Sequence, residues 1–267
     1  MKSSDMNFTA LKPSIYKSIN HEIHYAMSFI GGGMEIISFK YLYKALIGYM
    51  TSNMIFGINS LAEGDFNFSS FYHILIILIW MLLGAGHQII ANKYNFHAKS
   101  AMHGYAIAMT TSTFILLLFI LIGQYMFRHD LLADSPTLSV MPLVTIGLLF
   151  MYIQNFIIRN GGTAYPTTTS VVTTVYVLMI TRLAGSFNRN KTALERRASL
   201  SEGTHYVMVL IHFFAGAYIT IKLSEYYQFD SLYLVFFVLL FLTFKVWREH
   251  SILKNQFGKK RCVIKTS

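Results

Sequence analysis

The sequence is poor in charged residues and in cysteine, and each shortage excludes a class of protein. Only 13% of the 267 residues are charged and 54% are hydrophobic, against roughly a quarter charged in an ordinary soluble domain. Cys262 is the single cysteine, so no intrachain disulfide is possible. The N-terminal residues are polar and mixed, without the pattern of a cleaved signal peptide. A soluble protein cannot hide this much apolar surface, so we predict an integral membrane protein in contact with the lipid bilayer.

Several apolar runs approach the length of a membrane span, which takes about 20 residues because the hydrocarbon core is about 30 Å thick. They predict an all-α, polytopic transmembrane helix bundle of about eight spans. The first two runs are short, rich in glycine and separated by only five residues, so six full spans plus broken helices is an alternative. The predicted spans are 23–39, 45–62, 70–91, 102–127, 139–158, 165–184, 204–225 and 230–247.

The net charge of +10 is concentrated at the two ends of the chain and in one loop. Membrane orientation requires such a distribution, so we do not predict nucleic-acid binding. The positive-inside bias places both termini, 1–22 and the basic tail 248–267, in the cytoplasm. The polar connection 185–203 is expected to be a short surface helix or a mobile loop. The eight-span count leaves these basic residues on the outer side: Lys40, Lys44, Lys93, Lys99, Arg159 and Lys222.

The two halves of the chain, 23–127 and 128–247, carry similar elements in the same order, which favours an internal repeat. Each half has a polar pair, then a Thr-containing segment, then a run of small residues. Copies of four spans would be parallel, whereas three-span copies around a linker span would be inverted. Chance similarity between apolar helices is the alternative. The elements are Met34-Glu35, Thr51-Ser52-Asn53 and Gly84-Ala85-Gly86 in the first half, and Gln154-Asn155, Thr173-Thr174 and Ala215-Gly216-Ala217 in the second.

Glu35 is the most informative single residue, because it lies in the middle of a predicted span beside a run of three glycines. An ionised carboxylate facing lipid would cost roughly 3 kcal/mol or more, so the group must face the protein interior, pair with a cation or be protonated. One interpretation is a proton-coupled or cation-coupled site. The other is a structural carboxylate that pairs with Lys40 or Lys44.

Uncharged polar residues within the spans are further candidates for a substrate site. Such residues either line a substrate path or hold helices together. Interruptions at Gly31-Gly32-Gly33 in one half, and at Gly161-Gly162 and Pro166 in the other, are typical of carrier sites. With Glu35, the predicted substrate-binding residues are Thr51, Asn53, Gln154, Asn155 and Thr173.

Glycines and histidines receive simpler interpretations. Gly84, Gly86 and Gly216 are predicted to permit close contact between helices. His21 and His24 are three residues apart, and His205 and His212 are seven apart, but neither pair has the ligand set of a zinc site. We therefore predict no metal and no cofactor.

At these motifs the chain resembles the YoaK-like family of bacterial multi-pass membrane proteins, whose function is unknown. The resemblance covers about residues 25 to 245 and implies a multi-pass protein of the bacterial cytoplasmic (inner) membrane. It departs from the family pattern at Glu35, where the family usually has Asp, and at Ser52, where it has Gly. The matching segments are Gly32-Gly33-Met34-Glu35, Met50-Thr51-Ser52-Asn53, Gln154-Asn155 and Val172-Thr173-Thr174.

The function that these features favour is a small-solute carrier or permease, not an enzyme, with a polar site between the two repeats. One alternative is a membrane scaffold or accessory subunit without transport activity. Another is a membrane-embedded enzyme that modifies lipid, which would need an acid, a base or a metal facing the headgroups. The small-molecule substrate, the coupling ion and the oligomeric state stay open.

Overall fold

The computed structural model describes residues 14–64, 68–94, 101–132, 135–160 and 172–265. Within these ranges the regular secondary structure is helical, and none of the described residues is in a strand, which confirms the all-α prediction. The α-helices are α1 Ser14–Tyr41, α2 Met50–Ala62, α3 Phe68–Tyr94, α4 Ala101–Arg128, α5 Met141–Asn160, α6 Val172–Ser186, α7 Ala193–Tyr227 and α8 Leu232–Lys265.

Four described segments are long and apolar enough to cross a membrane: Phe68–Ile90, Gly104–Arg128, Leu138–Ile158 and Ala193–Ile252. The first three coincide with α3, α4 and α5. The fourth contains α7, a short 3-10 helix Gln228–Ser231 and the part of α8 that ends at Ile252. These segments identify the chain as an integral membrane protein, as predicted. Helix α1 is long enough but less apolar, because histidine, serine, glycine and Glu35 interrupt its sequence.

Helices α2 and α6 are shorter than the spans predicted in their place. The predicted span 45–62 contains a helix of 13 residues, preceded by non-helical residues 42–49. The predicted span 165–184 ends in α6, which has 15 residues, and its first part lies outside the described residues. Since about 20 residues are needed to cross the hydrocarbon core, α2 does not cross it alone, and the described part of α6 is also too short to do so. This finding agrees with the alternative of full spans combined with partial helices.

The basic connection predicted at 185–203 is largely part of α7. A capping box starts this helix: the Thr192 hydroxyl accepts a hydrogen bond from the Glu195 N–H, and the Glu195 carboxylate accepts one from the Thr192 N–H. The reciprocal pair satisfies two backbone donors that a helix start otherwise leaves open. Arg196 and Arg197 therefore belong to a continuous helix of 35 residues and not to a separate surface helix or a loop.

Helix α1 lies at the centre of the bundle, parallel to α7 and antiparallel to α8. Near its start, His21 contacts His205 of α7; near its end, the Lys40 ammonium donates to the Ser224 hydroxyl of α7 at 2.9 Å. Helix α8 runs in the opposite direction, because it begins after the distal end of α7 and its Lys245 pairs with Glu22 near the start of α1. The end of the bundle where α1 begins is called the proximal end, and the end where α1 finishes is called the distal end.

The directions of the remaining helices are given relative to these two ends. Arg128, at the end of α4, pairs with Asp230 at 3.1 Å, and Thr113 meets Thr243 at 2.8 Å, so α4 is antiparallel to α8 and finishes distally. On α5, Gln154 contacts the carbonyl of Met27 on α1, so this helix finishes proximally. As a result α3 and α5 begin distally and α7 begins proximally.

Two glycines allow α1 and α7 to cross in backbone contact. A Cβ atom on Gly216 would collide with the backbone of Phe29, and one on Gly32 would collide with the backbone of Phe213. The prediction of a close helix contact is thus confirmed for Gly216. It is wrong for Gly84 and Gly86 within the described chain: a Cβ on Gly84 would be in ordinary contact with one ring at 3.8 Å, and one on Gly86 would meet nothing within 4 Å.

Gln228, which follows α7, has φ 50° and ψ −126°. This backbone conformation is essentially restricted to glycine and costs roughly 1–3 kcal/mol for a residue with a Cβ atom. We expect Gln228→Gly to raise the free energy of unfolding by about 1 kcal/mol, measured by thermal unfolding in detergent. Gln228→Ala removes the same polar group but keeps the Cβ atom, so it should give no gain. Equal stabilisation by the two variants would contradict the backbone explanation.

Candidate functional site

The Glu35 carboxylate is enclosed in the bundle without a compensating charge. The residue is 4% exposed, and the backbone of Gly48 lies against its carboxylate, although neither oxygen accepts a hydrogen bond of ordinary geometry from the described residues. The ion pairs of the described residues do not include it, and Lys40 donates to Ser224. The predicted structural pairing with Lys40 or Lys44 is therefore not formed. A carboxylate held in this way keeps its capacity to bind a proton or a cation.

The carboxylate packs against Gly48, in the non-helical segment 42–49. A Cβ atom at Gly48 would collide with Oε1 of Glu35 and would come within 2.8 Å of the terminal methyl group of Met151 on α5. Glu35 lies six residues before the end of α1, which is about 9 Å along the helix axis. The segment 42–49 therefore turns back from the distal end into the bundle before α2 begins.

Asn53, on the first turn of α2, holds this segment in place. Its amide Nδ2 donates to the Leu46 carbonyl at 2.6 Å and to the Tyr49 carbonyl at 3.3 Å, and its Oδ1 accepts from the Leu46 N–H at 3.3 Å. The same oxygen lies 3.0 Å from the ring Nδ1 of His73 on α3. Asn53 is fully buried, so one side chain satisfies backbone groups that a helix would otherwise satisfy.

The turn into the bundle also has an unusual backbone. Tyr43 and Lys44 are consecutive residues with positive φ, 52° and 62°. Residues other than glycine adopt this region at a cost and persist there only when the surrounding structure requires it. The Tyr72 hydroxyl donates to the Leu42 carbonyl at 3.0 Å, which ties the same turn to α3.

The Tyr49 side chain, immediately before α2, lies near α6 as well as near α7. Tyr49, immediately before α2, has its ring 6.3 Å from that of Phe213 on α7 and interacts electrostatically with Tyr176, in the second turn of α6. It also interacts electrostatically with Glu35. From this point α2 runs to the distal end and α6 to the proximal end, where Gly185 is packed against Ser199. The described parts of the two helices thus run in opposite directions from the neighbourhood of Tyr49.

Gln154 and Asn155 lie one turn beyond Met151 on α5, and both are buried. The Gln154 amide donates to the Met27 carbonyl, while its Oε1 accepts no hydrogen bond from the described residues. The structure therefore brings Gln154 to the same side of α5 that faces α1 and Gly48. Of the other predicted site residues, Thr51 and Thr173 are exposed. The predicted interruptions at Gly161, Gly162 and Pro166 lie outside the described residues.

A cavity of about 710 Å³ opens at the distal end. It reaches the turn at residues 43–44 and the last two turns of α1, one residue from Glu35. Two lysines and one aspartate supply its charge. The lining residues are Ile36, Phe39, Lys40, Tyr41, Tyr43, Lys44, Phe127, Asp130, Leu132 and Ile221.

Sequence reasoning missed a cluster of imidazoles near the proximal end. His21 and His24 of α1 both contact His205 of α7, with ring nitrogens 2.8 and 3.0 Å apart. The spacing of His21 and His24 along one helix was visible, but nothing in a single sequence indicates a partner 184 positions away. The described residues include no group of three or more histidine, cysteine or acidic side chains arranged to hold a metal ion.

Comparison with known proteins gives one match. A family model described as a protein of unknown function (DUF1275) matches residues 23–245, which includes every predicted site residue. A search of the curated proteins and a search of the solved structures gave no match.

Proposed function

The chain belongs to DUF1275, a family of proteins of unknown function, and we propose that it is a carrier of a small solute in the bacterial cytoplasmic membrane. The observation that supports this best is the buried carboxylate of Glu35, which lies without an ion-pair partner beside the point where α2 begins. Ionisable groups inside a membrane protein are costly and mark ion or substrate pathways. The YoaK-like resemblance supports the membrane assignment and leaves the activity open.

We further propose that α1–α4 and α5–α8 are two copies of one unit in inverted orientation. Each copy has three long helices and one short helix, which is second in order. From the neighbourhood of Tyr49, α2 runs toward the distal end and the described part of α6 runs toward the proximal end, which supports inversion. Inverted repeats with discontinuous helices around a central site are characteristic of secondary transporters.

The proposed arrangement also makes the distribution of basic residues more consistent with the positive-inside rule. With six full spans, Lys93 at the end of α3 and Arg159 at the end of α5 are proximal, together with the basic start of α7 and the C-terminal tail. The eight-span count had placed Lys93 and Arg159 on the opposite side. The positive-inside rule then assigns the proximal end, and with it both termini, to the cytoplasm.

Glu35 is the proposed coupling residue, and its environment explains how coupling would operate. The start of α2 and the start of α6 carry partial positive charge, because the first backbone N–H groups of a helix have no partner within it. An anionic group of the solute would be held by this region, and a donor group of the solute would bind the ionised carboxylate of Glu35. Protonation neutralises the carboxylate and releases the solute, and an amide at this position lacks the charge at every pH. Gln154, Asn155 and Asn53 complete the proposed polar region, and Thr51 and Thr173 are proposed to contact solute from its accessible side.

The test is thermal stability of the purified protein across a panel of small organic anions, inorganic anions and neutral metabolites at several pH values. A ligand that binds only the folded protein raises its stability, by about 2.7 kcal/mol at a hundred times the dissociation constant. We expect at least one compound to raise the unfolding temperature of the parent, with the rise abolished in Glu35→Gln. Glu63→Gln, which changes an exposed carboxylate on the same side of the bundle, should retain it.

Two outcomes would contradict the carrier. One is the absence of any stabilising compound in a broad panel, with Glu35→Gln as stable as the parent. The other is a stabilising compound whose effect is the same in Glu35→Gln and in the parent. Either result would favour the scaffold or accessory-subunit hypothesis, and stable co-purification of a partner would then support it.

A further inference from the structure

The imidazole chain, defined as His21, His205 and His24, forms a continuous series of short contacts between α1 and α7. Nδ1 of His205 lies 2.8 Å from Nδ1 of His21, and Nε2 of His205 lies 3.0 Å from Nδ1 of His24. His205 thus uses both ring nitrogens, one toward each neighbour. An imidazole in this arrangement can accept a proton at one nitrogen and release one from the other.

The chain leads from the rim of the bundle into its interior. His21 is partly exposed near the start of α1, His205 is 2% exposed, and His24 is fully buried. Tyr25 adds a hydroxyl 3.0 Å from Nδ1 of His205, and its ring stacks on His212 at 5.1 Å. Three polar rings at such a position are costly in a membrane protein unless they have a role, since apolar residues would fill the same space.

The polar face of α1 continues from His24 toward Glu35. His24, Ser28, Gly31 and Glu35 are spaced at four, three and four residues, so they lie on one side of the helix. The Ser28 hydroxyl donates to the His24 carbonyl at 2.8 Å, and Ser28 is fully buried. Eleven residues separate His24 from Glu35, about 16 Å along the axis, so transfer over this part requires water molecules between polar groups.

The charged groups around the imidazole chain are neutralised in pairs. On α1, Glu22 pairs with Lys245 of α8. On α7, Glu202 pairs with Arg182 of α6 at 3.0 Å and accepts a hydrogen bond from the Tyr206 hydroxyl at 3.1 Å. The titratable groups that face the imidazoles from the packed helices are Glu22 and Tyr25 on α1, Arg182 on α6, Glu202, Tyr206 and His212 on α7, and Lys245 on α8.

We propose that the imidazole chain is a proton relay between the proximal surface and the interior of the bundle. A proton from water binds His21, which becomes an imidazolium; its Nδ1–H bond breaks as an Nδ1–H bond forms on His205. The Nε2–H bond of His205 breaks as an Nδ1–H bond forms on His24, and His205 is left neutral as the other tautomer. The positive charge has moved from His21 to His24, and no electrons are exchanged. The inference rests on the proposed function, because it names the proton as the coupling ion that reaches Glu35.

Proton uptake by vesicles tests the relay without knowledge of the solute. The full chain is reconstituted into liposomes that contain a pH-sensitive dye, and a potassium diffusion potential, negative inside, drives proton entry. We expect His205→Gln to lower the protein-dependent rate at least tenfold, because the amide keeps a donor toward His24 but cannot exchange tautomers. His129→Gln, an exposed histidine at the distal end, should keep the parent rate.

Chemical rescue separates relay from structure. Imidazole added to vesicles with His205→Ala should restore a substantial part of the uptake, since free imidazole can occupy the space and exchange protons, and it should not restore uptake in His205→Gln. A merely structural role would respond equally little in both variants. If the variants do not fold, the parent protein labelled with ¹⁵N-histidine in nanodiscs provides the measurement: His205 must exchange between two tautomers. A ring fixed in one tautomer between pH 5 and 9 would overturn the relay.

Failure of the relay and failure of the carrier give different results. Unchanged uptake in His205→Gln, or a parent without proton uptake, overturns the relay, while loss of ligand-induced stabilisation in Glu35→Gln would still support the carrier. Equal loss of uptake in His205→Gln and His129→Gln also overturns the relay, because the loss would not depend on position. Loss of uptake in both His205→Gln and Glu35→Gln supports the relay and its connection to the proposed coupling residue.

Discussion

Gly216→Ala is expected to destabilise the protein by about 3 kcal/mol or more, although the change adds a single methyl group. In most helices this substitution is favourable by about 1 kcal/mol, because glycine gives up more backbone freedom than alanine. Here the new Cβ atom would collide with the carbonyl carbon and oxygen of Phe29 on α1. Those atoms belong to a helix backbone and cannot rotate away as a side chain would, so α1 and α7 must separate.

The consequence of that separation extends along both helices, since α1 and α7 share the most extensive helix contact that the described residues form. The fully buried residues of α1, among them Met27, Ile30 and Met34, would lose part of their packing. Hydrogen bonds at both ends of the contact, from His205 and to Ser224, would lengthen. We therefore expect loss of monodisperse protein as well as a lower unfolding temperature in detergent.

The matched control is Gly86→Ala on α3, where a Cβ atom would meet nothing within 4 Å. This variant should be as stable as the parent or slightly more stable, because only the helix propensity changes. Gly32→Ala, on the α1 side of the same crossing, should reproduce the effect of Gly216→Ala. Equal thermal stability of Gly216→Ala and Gly86→Ala would mean that the two backbones are not in contact.

Asn53→Leu is expected to cost about 3 kcal/mol and to loosen the segment 42–49. The leucine has the same number and branching of side-chain heavy atoms but removes both hydrogen bonds to the backbone of Leu46 and the one to the carbonyl of Tyr49. The Leu46 N–H would then have no partner among the described residues, which costs roughly 1–3 kcal/mol. The carbonyls of Leu46 and Tyr49 keep the bonds that they accept from the N–H groups of Tyr49 and Asn53. Since Gly48 lies within this segment, the position of the backbone against Glu35 should change with it.

The measurements for Asn53→Leu are thermal unfolding and hydrogen exchange of the backbone amides of 42–49. Exchange at the Leu46 amide should become faster than in the parent, and the unfolding temperature should fall. Asn59→Leu is the control, because Asn59 is on the same helix, exposed, and bonded only to the carboxylate of Glu63 at 2.8 Å. Unchanged exchange at Leu46 in Asn53→Leu would show that Asn53 does not hold the segment.

Asn53 illustrates how far sequence reasoning reached for the site. Its sequence position identified it correctly as a polar residue that needs partners inside the membrane, and the prediction placed it in a substrate site. In the structure its described hydrogen bonds go to the preceding backbone and to His73, which makes it the residue that shapes the site. A side chain that binds a solute and one that binds nearby backbone obey the same rule of polar satisfaction, so composition does not distinguish them.

The sequence identified Glu35 as a carboxylate that must avoid lipid, and the structure agrees with this reasoning. A carboxylate within an apolar helix has few acceptable environments, and enclosure in protein is one of them. The sequence nevertheless suggested Lys40 and Lys44 as its partners, because they are near in the chain. Lys40 turns instead to Ser224, a residue of α7 that only the helix packing brings within reach.

The lengths of the spans show a second limit of prediction from sequence. Hydropathy identifies α3, α4 and α5 because each is a long and uninterrupted apolar run. It also identified a span at α2, since a short helix joined to buried non-helical backbone has the same apolarity as a complete span. Non-helical backbone is tolerated at this depth only where protein encloses it and satisfies its polar groups, as Asn53 does for Leu46.

The sequence by itself determined that this is a helical membrane protein with a carboxylate in an apolar helix. Those properties follow from the transfer of side chains out of water, which depends on residue type and on the length of each run. The tertiary structure decided which runs form long helices, which glycines lie against a neighbouring backbone, and that His205 joins His21 and His24. In a bilayer the apolar side chains do not favour one neighbouring helix over another, so the close fit of small residues and the pairing of polar groups select the contacts. To predict these contacts, one must know which residues far apart in the chain become neighbours.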